Sequence, residues 1–278
     1  MAERFVLGGL CLLTLCACSA LVLILGTVFV KGAPAITWEF LTEESRDFGS
    51  AGGVFYQTLG TLLLMAGAAL VCLPVALGAA LFQTECLRSE GLRKGVRVMM
   101  YSLNSVPTII FGLIGYAFFG VFLDAGVSWA TGTLILAVMI LPTVQVSILE
   151  AIESIPVRYR ETGLALGLSP WRSVTSIVVP QSAYGIVTGT LLGLARAAGE
   201  TAAIMFTATV FSGVLLPTSW TDPVTTLQTH ILTLAQEAAA PEALANAWGA
   251  ALILLAIVFV LILGSLPARR VMRLESER

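Results

Sequence analysis

The sequence predicts an all-α, polytopic membrane protein whose helices form a bundle. Hydrophobic residues make up 57% of the 278-residue chain and charged residues only 12%, whereas soluble domains carry about 25% charged residues. The apolar residues form runs of about 20 or more, the length that crosses a ~30 Å hydrocarbon core as a helix. These runs are solidly apolar rather than alternating, which argues against a membrane β-barrel.

Six apolar runs are predicted to cross the membrane. They cover residues 5–30, 54–82, 98–122, 131–149, 184–215 and 247–266. The first run has two rival interpretations, a cleaved signal peptide and, because of Cys16 and Cys18, a lipoprotein leader. It is longer than the ~7–15-residue apolar core of a signal peptide. We therefore expect an uncleaved first helix. The third run is interrupted by a polar, proline-containing stretch at residues 104–108.

The basic residues are concentrated on one side of this topology. That side receives Arg4, the cluster at residues 88–97, Arg158, Arg160, Arg172, Arg269, Arg270, Arg273 and Arg278. The opposite side receives only Lys31 and Arg46. Because loops rich in Lys and Arg remain in the cytoplasm, both termini are expected to be cytoplasmic, in agreement with an even number of spans.

This topology divides the chain into three parts. Residues 1–53 are the first transmembrane helix and an extracytoplasmic loop, residues 54–267 the transmembrane domain, and residues 268–278 a cytoplasmic tail. An amphipathic helix is expected near residues 225–239, within the outer loop before the last span. The five cysteines lie mostly in apolar runs, and we expect free thiols there. With His230 as the single histidine, neither a disulfide framework nor a metal site is expected.

A polar segment at residues 150–180 separates the fourth and fifth spans. Pro156 and Pro170 bracket a short helix expected over residues 157–168, and Gly167 near its end suits a left-handed C-cap. Such a helix at the membrane face would give a partner protein a rigid docking element. The alternative, from composition alone, is a solvated loop with an interfacial helix.

Arg196 and Glu200 lie inside the fifth apolar run, where a charged residue is costly and indicates a functional site. Counted from an expected cytoplasmic edge at residue 184, Arg196 is about 18 Å deep, near the middle of the membrane. Glu200 is expected one turn further on the same helix face. Arg196 would then offer a fixed cation to an anion in transit, and Glu200 would orient it. The alternative is a structural ion pair that only pins the helix.

Small residues recur at every fourth position of the fifth run, and such a pattern lets helices approach closely. They are Gly185, Gly189, Gly193 and Ala197. We therefore expect this span to lie centrally in the bundle.

The spacing within the polar segment resembles the signature of ABC-importer permeases, which reads Glu-Ala-Ala, three residues, Gly, nine residues, Ile, one residue, Leu-Pro. The matching positions here are Glu161, Thr162, Gly163, Gly167, Ile177, Val179 and Pro180. The chain departs from the signature at Thr162, Gly163 and Val179. The resemblance implies the type I ABC-importer permease fold, in which this segment is a coupling helix that docks on a separate ATPase subunit.

The ATPase is expected to be a partner, because the chain contains no Gly-Lys pair and so no phosphate-binding loop of its own. ATP and Mg would be bound by that partner, and no cofactor is expected on this chain. We therefore expect a permease subunit that is not itself an enzyme.

A second resemblance lies in the fifth run. The stretch from Ala195 to Ala202, followed by Phe206-Thr207-Ala208, is similar to the Arg-Ala-x-Gly-Glu-Thr-Ala-Pro segment of A-type membrane subunits of phosphate-specific (Pst) importers. Residues 106–112 also match that family, and Ala203 departs from its proline. The implied substrate pathway is lined by Arg196, Glu200, Thr201, Asn104, Ser105 and Thr108.

The resemblance also implies an assembly in the bacterial plasma membrane. Two ATPase copies, a second homologous permease and an extracytoplasmic phosphate-binding protein would join this chain; lipid would surround it, and no nucleic acid is expected. Related importers of molybdate, tungstate and sulfate leave the anion open. A membrane-embedded enzyme would need a motif such as Gly-x-Ser-x-Gly or His-Glu-x-x-His, which the sequence lacks. A passive anion channel would need Arg196 but no coupling segment.

Overall fold

A computed structural model describes residues 2–211, 216–237 and 240–276, with side chains described between residues 6 and 266. Helices dominate the described chain. In chain order they are α1 (Ala2–Gly32), α2 (Trp38–Thr42), α3 (Phe55–Leu81), α4 (Glu90–Asn104), α5 (Thr108–Gly115), α6 (Trp129–Glu153), α7 (Val157–Ala165), α8 (Pro170–Ser173), α9 (Val179–Ala198), α10 (Ala202–Thr207), α11 (Leu227–Glu237) and α12 (Pro241–Ser276). Two short antiparallel strands, β1 (Ser45–Arg46) and β2 (Ala51–Gly52), form a hairpin between α2 and α3.

Five helical segments in the described chain are long and apolar enough to cross a membrane. They are Val6–Ala35, Phe55–Cys86, Trp129–Glu153, Pro170–Ala198 and Pro241–Leu266. A sixth span exists only if α4 and α5 are counted together as one broken span. The all-α membrane bundle is therefore confirmed, whereas the number of spans depends on this bent pair.

The third predicted span is not one continuous crossing. Its helix begins at Glu90 rather than at residue 98 and ends at Asn104, and α5 then turns away by 93°. Pro107 accounts for the break, because it lacks an N–H group and disfavours helical backbone at Val106. The first half, α4, buries none of its residues. The sequence placed the interruption correctly but did not predict the change of direction.

The predicted start of the fifth span at residue 184 is wrong. Helical backbone begins at Pro170, passes through a π-helical turn at Val174–Val178 and ends at Ala198. The wide turn precedes Pro180, whose ring would clash with the carbonyl four residues earlier in a regular α-helix. Residues 199–201 then interrupt the helix before α10. The predicted end at Leu215 lies outside the described residues.

The centre of the bundle is formed by α3, α6 and α9, and α12 packs on α9 from outside. In the apolar window of α6, 67% of the residues are buried, whereas the corresponding share for α1 is 0%. The α1 helix lies at the periphery and packs mainly against α12. Arg196 is thus carried by a central helix, as the sequence predicted.

The small residues of α9 allow its close contact with α6. A Cβ atom on Gly193 would lie 2.5 Å from Val144 Cγ2, and one on Gly189 would lie 2.7 Å from Ser147 Cβ. Real Cβ atoms do not approach neighbours so closely, so a larger side chain would have to displace α6. The predicted close packing along this face is confirmed.

The segment between the last two spans contains α11, which confirms the helix expected near residues 225–239; residues 238 and 239 lie outside the described residues. His230 on this helix is buried and stacks on Phe211, with ring centroids 5.8 Å apart. Burial disfavours the charged imidazolium and lowers the pKa of His230 to about 4. His230 therefore contributes to packing as a neutral ring.

Candidate functional site

Arg196 lies in the last turn of α9, and its side chain joins three helices. Its Nη1 group donates to Oδ1 of Asn104, the last residue of α4, and to Oγ1 of Thr143 in α6 at 3.1 Å. The Thr143 hydroxyl also donates to Asn104 Oδ1 at 3.5 Å. Helical side chains point towards the N-terminus of their helix, so the guanidinium reaches back into the bundle. Thr143 is not among the residues predicted from the sequence, although its hydroxyl beside Pro142 in an apolar span was a usable signal.

The contact with Thr143 gives the depth of Arg196. Thr143 precedes the end of α6 at Glu153 by about ten residues, or about 15 Å. Because α6 has 25 residues, Thr143 is close to its midpoint. The Arg196 guanidinium therefore lies level with the middle of α6, although residue 184 is not the edge of its own helix.

Glu200 does not orient Arg196, and this prediction is wrong. The α9 helix ends at Ala198, so Glu200 is not on the next turn of the same face. The Glu200 side chain is only 8% exposed, and its Oε1 accepts a hydrogen bond from the Ala203 N–H at 3.1 Å. Among the described side chains, no carboxylate oxygen lies within 4.0 Å of the Arg196 guanidinium. The structural ion pair considered as the alternative is therefore absent as well.

The break after α9 is stabilised by α11. Gln228 Nε2 donates to the Ala198 carbonyl at 2.7 Å, and Gln228 Oε1 accepts from Thr61 Oγ1 at 3.1 Å. The carbonyls in the last turn of a helix have no partner within the helix, so Gln228 satisfies one of them at the point where the span stops. This helix was expected in an outer loop, and neither Gln228 nor Thr61 is among the predicted site residues.

Three other predicted pathway residues, Ser105, Thr108 and Thr201, form no described hydrogen bond with Arg196. Asn104 and Ser105 are exposed, and the Ser105 hydroxyl donates to the Tyr101 carbonyl at 3.1 Å. Thr108 begins α5, and Thr201 is the N-cap of α10; both are half-buried. Of the predicted set, the structure thus brings only Asn104 into hydrogen-bond contact with Arg196.

The polar segment at residues 150–180 contains the expected short helix, α7, with a left-handed cap. Gly167 has a φ of +81°, a conformation that glycine adopts without steric cost. The Gly167 N–H donates to the Leu164 carbonyl and the Leu168 N–H to the Gly163 carbonyl, each at 3.0 Å. These two bonds are those of a Schellman cap, so the C-cap prediction is confirmed.

The remaining signature positions explain how α7 is held. Gly163 is buried, and a Cβ atom there would lie 2.7 Å from Ile177 Cδ1. The glycine therefore lets α7 pack directly on the helical turn that leads into α9. Glu161 and Thr162 are exposed, as is Pro180.

An apolar surface remains open on this segment. Leu164 is 54% exposed and Leu166 is 78% exposed, although both lie outside the candidate membrane spans. Val157, at the start of α7, is exposed as well. Contiguous exposed apolar groups are typical of a protein–protein contact surface.

Fold and sites together define a membrane-spanning component of a solute importer. Residues 72–275, more than half of the chain, match the family model described as "Binding-protein-dependent transport system inner membrane component". The chain belongs to this family of ABC transporter permeases.

Several named relatives are similar over most of the chain. A probable phosphate transport system permease protein PstA of Methanocaldococcus jannaschii is 33% identical over 258 residues, which cover 93% of this chain and 89% of the relative. The phosphate transport system permease protein PstA of Pasteurella multocida is 34% identical over 185 residues, 66% of either chain. The probable ABC transporter permease protein YqgI of Bacillus subtilis is 29% identical and covers 90% of this chain and 89% of its own length.

Solved structures support the fold. A chain of a bacterial alginate ABC transporter, in complex with an alginate-bound periplasmic protein, is similar with a TM-score of 0.65 and 16% identity, and 95% of each chain is covered. A chain of the MetNI methionine ABC transporter is similar with a TM-score of 0.55 and 16% identity, over 80% of this chain and 93% of that one. At this identity the likeness concerns the fold alone.

Proposed function

We propose that this chain is the permease subunit of an ATP-driven importer that carries inorganic phosphate across the bacterial plasma membrane. The observation that carries the proposal is the state of Arg196, a mid-depth guanidinium bound by neutral oxygen atoms. Asn104 and Thr143 satisfy donors of the guanidinium but do not neutralise its charge. The positive charge therefore remains available to an anion.

Arginine suits an oxyanion for geometric reasons. Its planar guanidinium offers several N–H donors in a fork that matches phosphate oxygens, and charge-assisted hydrogen bonds are stronger than neutral ones. We propose that Glu200, Thr201, Ser105 and Thr108 line the same pathway. Two of the three named relatives are described as phosphate permeases, one of them as a probable one, which favours phosphate over molybdate, tungstate and sulfate.

A second permease would complete the pathway. Asn104 and Ser105 are exposed at the depth of Arg196, and polar groups at that depth face protein or water rather than lipid. We therefore infer that a homologous permease covers this face and that phosphate passes between the two chains.

ATP hydrolysis would be supplied from the cytoplasmic side. The exposed apolar face of α7 would dock on an ATPase subunit, and two ATPase copies would serve the two permeases. ATP and Mg would bind there, since this chain contains no phosphate-binding loop. Closure of the ATPases would move the coupling helices. In this arrangement both termini are cytoplasmic, and a phosphate-binding protein delivers substrate from outside.

The test is phosphate uptake into proteoliposomes that contain this chain, the ATPase, the second permease and the binding protein. Arg196→Gln removes the charge but keeps hydrogen-bonding capacity, and we expect uptake to fall by about 10- to 100-fold, the value of a charge-assisted hydrogen bond. Thr143→Val removes one neutral partner and retains the cation, so a smaller loss is expected.

Co-purification of all subunits is the assembly control. Near-normal uptake by an assembled Arg196→Gln complex would contradict the anion-site role. Preferential uptake of molybdate, tungstate or sulfate in parallel assays would contradict the choice of phosphate.

A further inference from the structure

The Arg160 side chain in α7 bridges the coupling helix to two core helices. Its Nη2 donates to the Ile152 carbonyl at 3.0 Å, and its Nη1 donates to the Ile155 carbonyl at 3.2 Å. Nη2 also lies 3.2 Å from Glu85 Oε1. The Ile152 carbonyl lies in the last turn of α6, and the Ile155 carbonyl lies just after the C-cap of that helix. Glu85 lies in the π-helical turn that follows α3.

This bridge differs from the other contacts of α7. The helix packs mainly on α8 and on the π-helical turn before α9, which are the elements that follow it in the chain. Arg160 reaches in the opposite direction, to α3 and α6. Its side chain is 22% exposed and that of Glu85 24% exposed, so the pair is screened by solvent less than a surface pair would be.

The contacts are well suited to transmit force. The Ile152 carbonyl also accepts from the Ile155 N–H at 3.3 Å. The C-terminus of a helix carries the negative end of the helix dipole, so a guanidinium is bound favourably there. The α6 helix is among the most buried of the bundle and carries Thr143, which binds Arg196. A displacement of α6 along its axis would therefore reach the proposed anion site.

We propose that Arg160 is a positioning residue that transmits movement of the coupling helix to α3 and α6. The inference rests on the proposed function, since it assumes that α7 docks on an ATPase. It adds a residue outside the importer signature, together with Glu85, as the connection between docking and the transmembrane helices.

Arg93 provides a matched control. Its Nε and Nη2 donate to the Leu87 and Thr84 carbonyls, each at 3.0 Å. It therefore binds carbonyls in the same region after α3, but these contacts do not reach α7. Replacing Arg93 should therefore remove a comparable number of hydrogen bonds to carbonyls, but leave the bridge from α7 to α3 and α6 intact.

The experiment compares Arg160→Gln with Arg93→Gln in the full complex in proteoliposomes. We measure subunit co-purification, ATP hydrolysis and phosphate uptake, and compare the phosphate taken up per ATP hydrolysed. Arg160→Gln should assemble and hydrolyse ATP, whereas phosphate per ATP should fall by about tenfold, within the range for residues that couple two sites. Arg93→Gln should retain the wild-type ratio.

A wild-type ratio in assembled Arg160→Gln, or an equal loss in Arg93→Gln, would overturn the proposal. If Arg160→Gln does not assemble, Glu85→Gln decides, because it removes only the charged partner. A reduced ratio in Glu85→Gln supports the connection, and a wild-type ratio overturns it. Failure of the proposed function would be distinct: the wild-type complex itself would show no ATP-dependent uptake.

Discussion

The backbone at Gly167 offers a direct test of the coupling helix. Gly167 caps the C-terminus of α7 with a φ of +81°, and a Cβ atom there would meet nothing within 4 Å. A larger side chain would therefore be limited by its own backbone and not by neighbouring residues. Gly167→Val places a β-branched residue in a left-handed conformation, whereas Gly167→Asn places there the residue that tolerates it best after glycine.

The expected cost follows from this geometry. An L-residue in the left-handed region loses about 1–2 kcal/mol relative to glycine, and a β-branched residue lies at the upper end or above it. A loss of 1.4 kcal/mol changes an equilibrium constant tenfold. The ratio of correctly capped to uncapped α7 should therefore fall by about tenfold in Gly167→Val. Gly167→Asn should remain close to the wild type. Because residue 167 is exposed outside the spans, membrane insertion should be unaffected.

The assay is substrate-stimulated ATP hydrolysis by the reconstituted complex, with phosphate uptake and subunit co-purification measured on the same samples. Stimulation should fall in Gly167→Val and persist in Gly167→Asn. Two results would refute the reasoning. Wild-type behaviour of the valine variant would mean that the cap is not needed for coupling, and equal loss in both variants would mean that bulk matters rather than backbone conformation.

Two further predictions concern stability. Gly193→Leu would force Val144 away from a position 2.5 Å from the new Cβ, and overpacking of this kind costs about 1–3 kcal/mol, so the melting temperature in detergent should fall. Gly26→Leu is the control, because a Cβ there meets nothing within 4 Å, and its melting temperature should equal that of the wild type. Equal melting temperatures for the two variants would contradict the tight α6–α9 contact. His230 has a pKa lowered to about 4 from 6.5 by burial, so its stabilising contribution is complete above pH ~6.5 and is lost as the pH falls towards 4. His230→Phe should flatten the decline in melting temperature over this interval, and identical pH profiles would show that the imidazole is not buried in the folded protein.

Local chemistry made some elements predictable from the sequence. The cap at Gly167 follows from a glycine near the end of a short helix that two prolines bracket. The break near Pro107 follows from the missing N–H group of this proline. The close contact of α9 with α6 follows from small residues at fourfold spacing. In each case the signal lies within one short stretch of the chain.

The ends of the fifth span could not be predicted in this way. Hydropathy locates apolar runs, but residues 199–201 interrupt a helix that has apolar residues on both sides. The break depends on Gln228, which lies about thirty residues further along and satisfies the Ala198 carbonyl. Glu200 appeared to continue the helix face of Arg196 because regular helix geometry was assumed across this break. Thr143 was missed for a related reason, since its contact with Arg196 joins different helices.

The separation of Arg196 from Glu200 changes how its charge should be understood. A guanidinium at mid-depth is costly to bury without a counter-ion, yet its described partners are neutral. An anion that enters the pathway would supply the missing negative charge. Its binding free energy would therefore be more favourable than at a site where a carboxylate already paired with Arg196. Because α9 is packed tightly on α6, Thr143 and Arg196 should move together. Within this chain the α4 helix buries none of its residues, so Asn104 is the partner of Arg196 that the packing of this chain holds least.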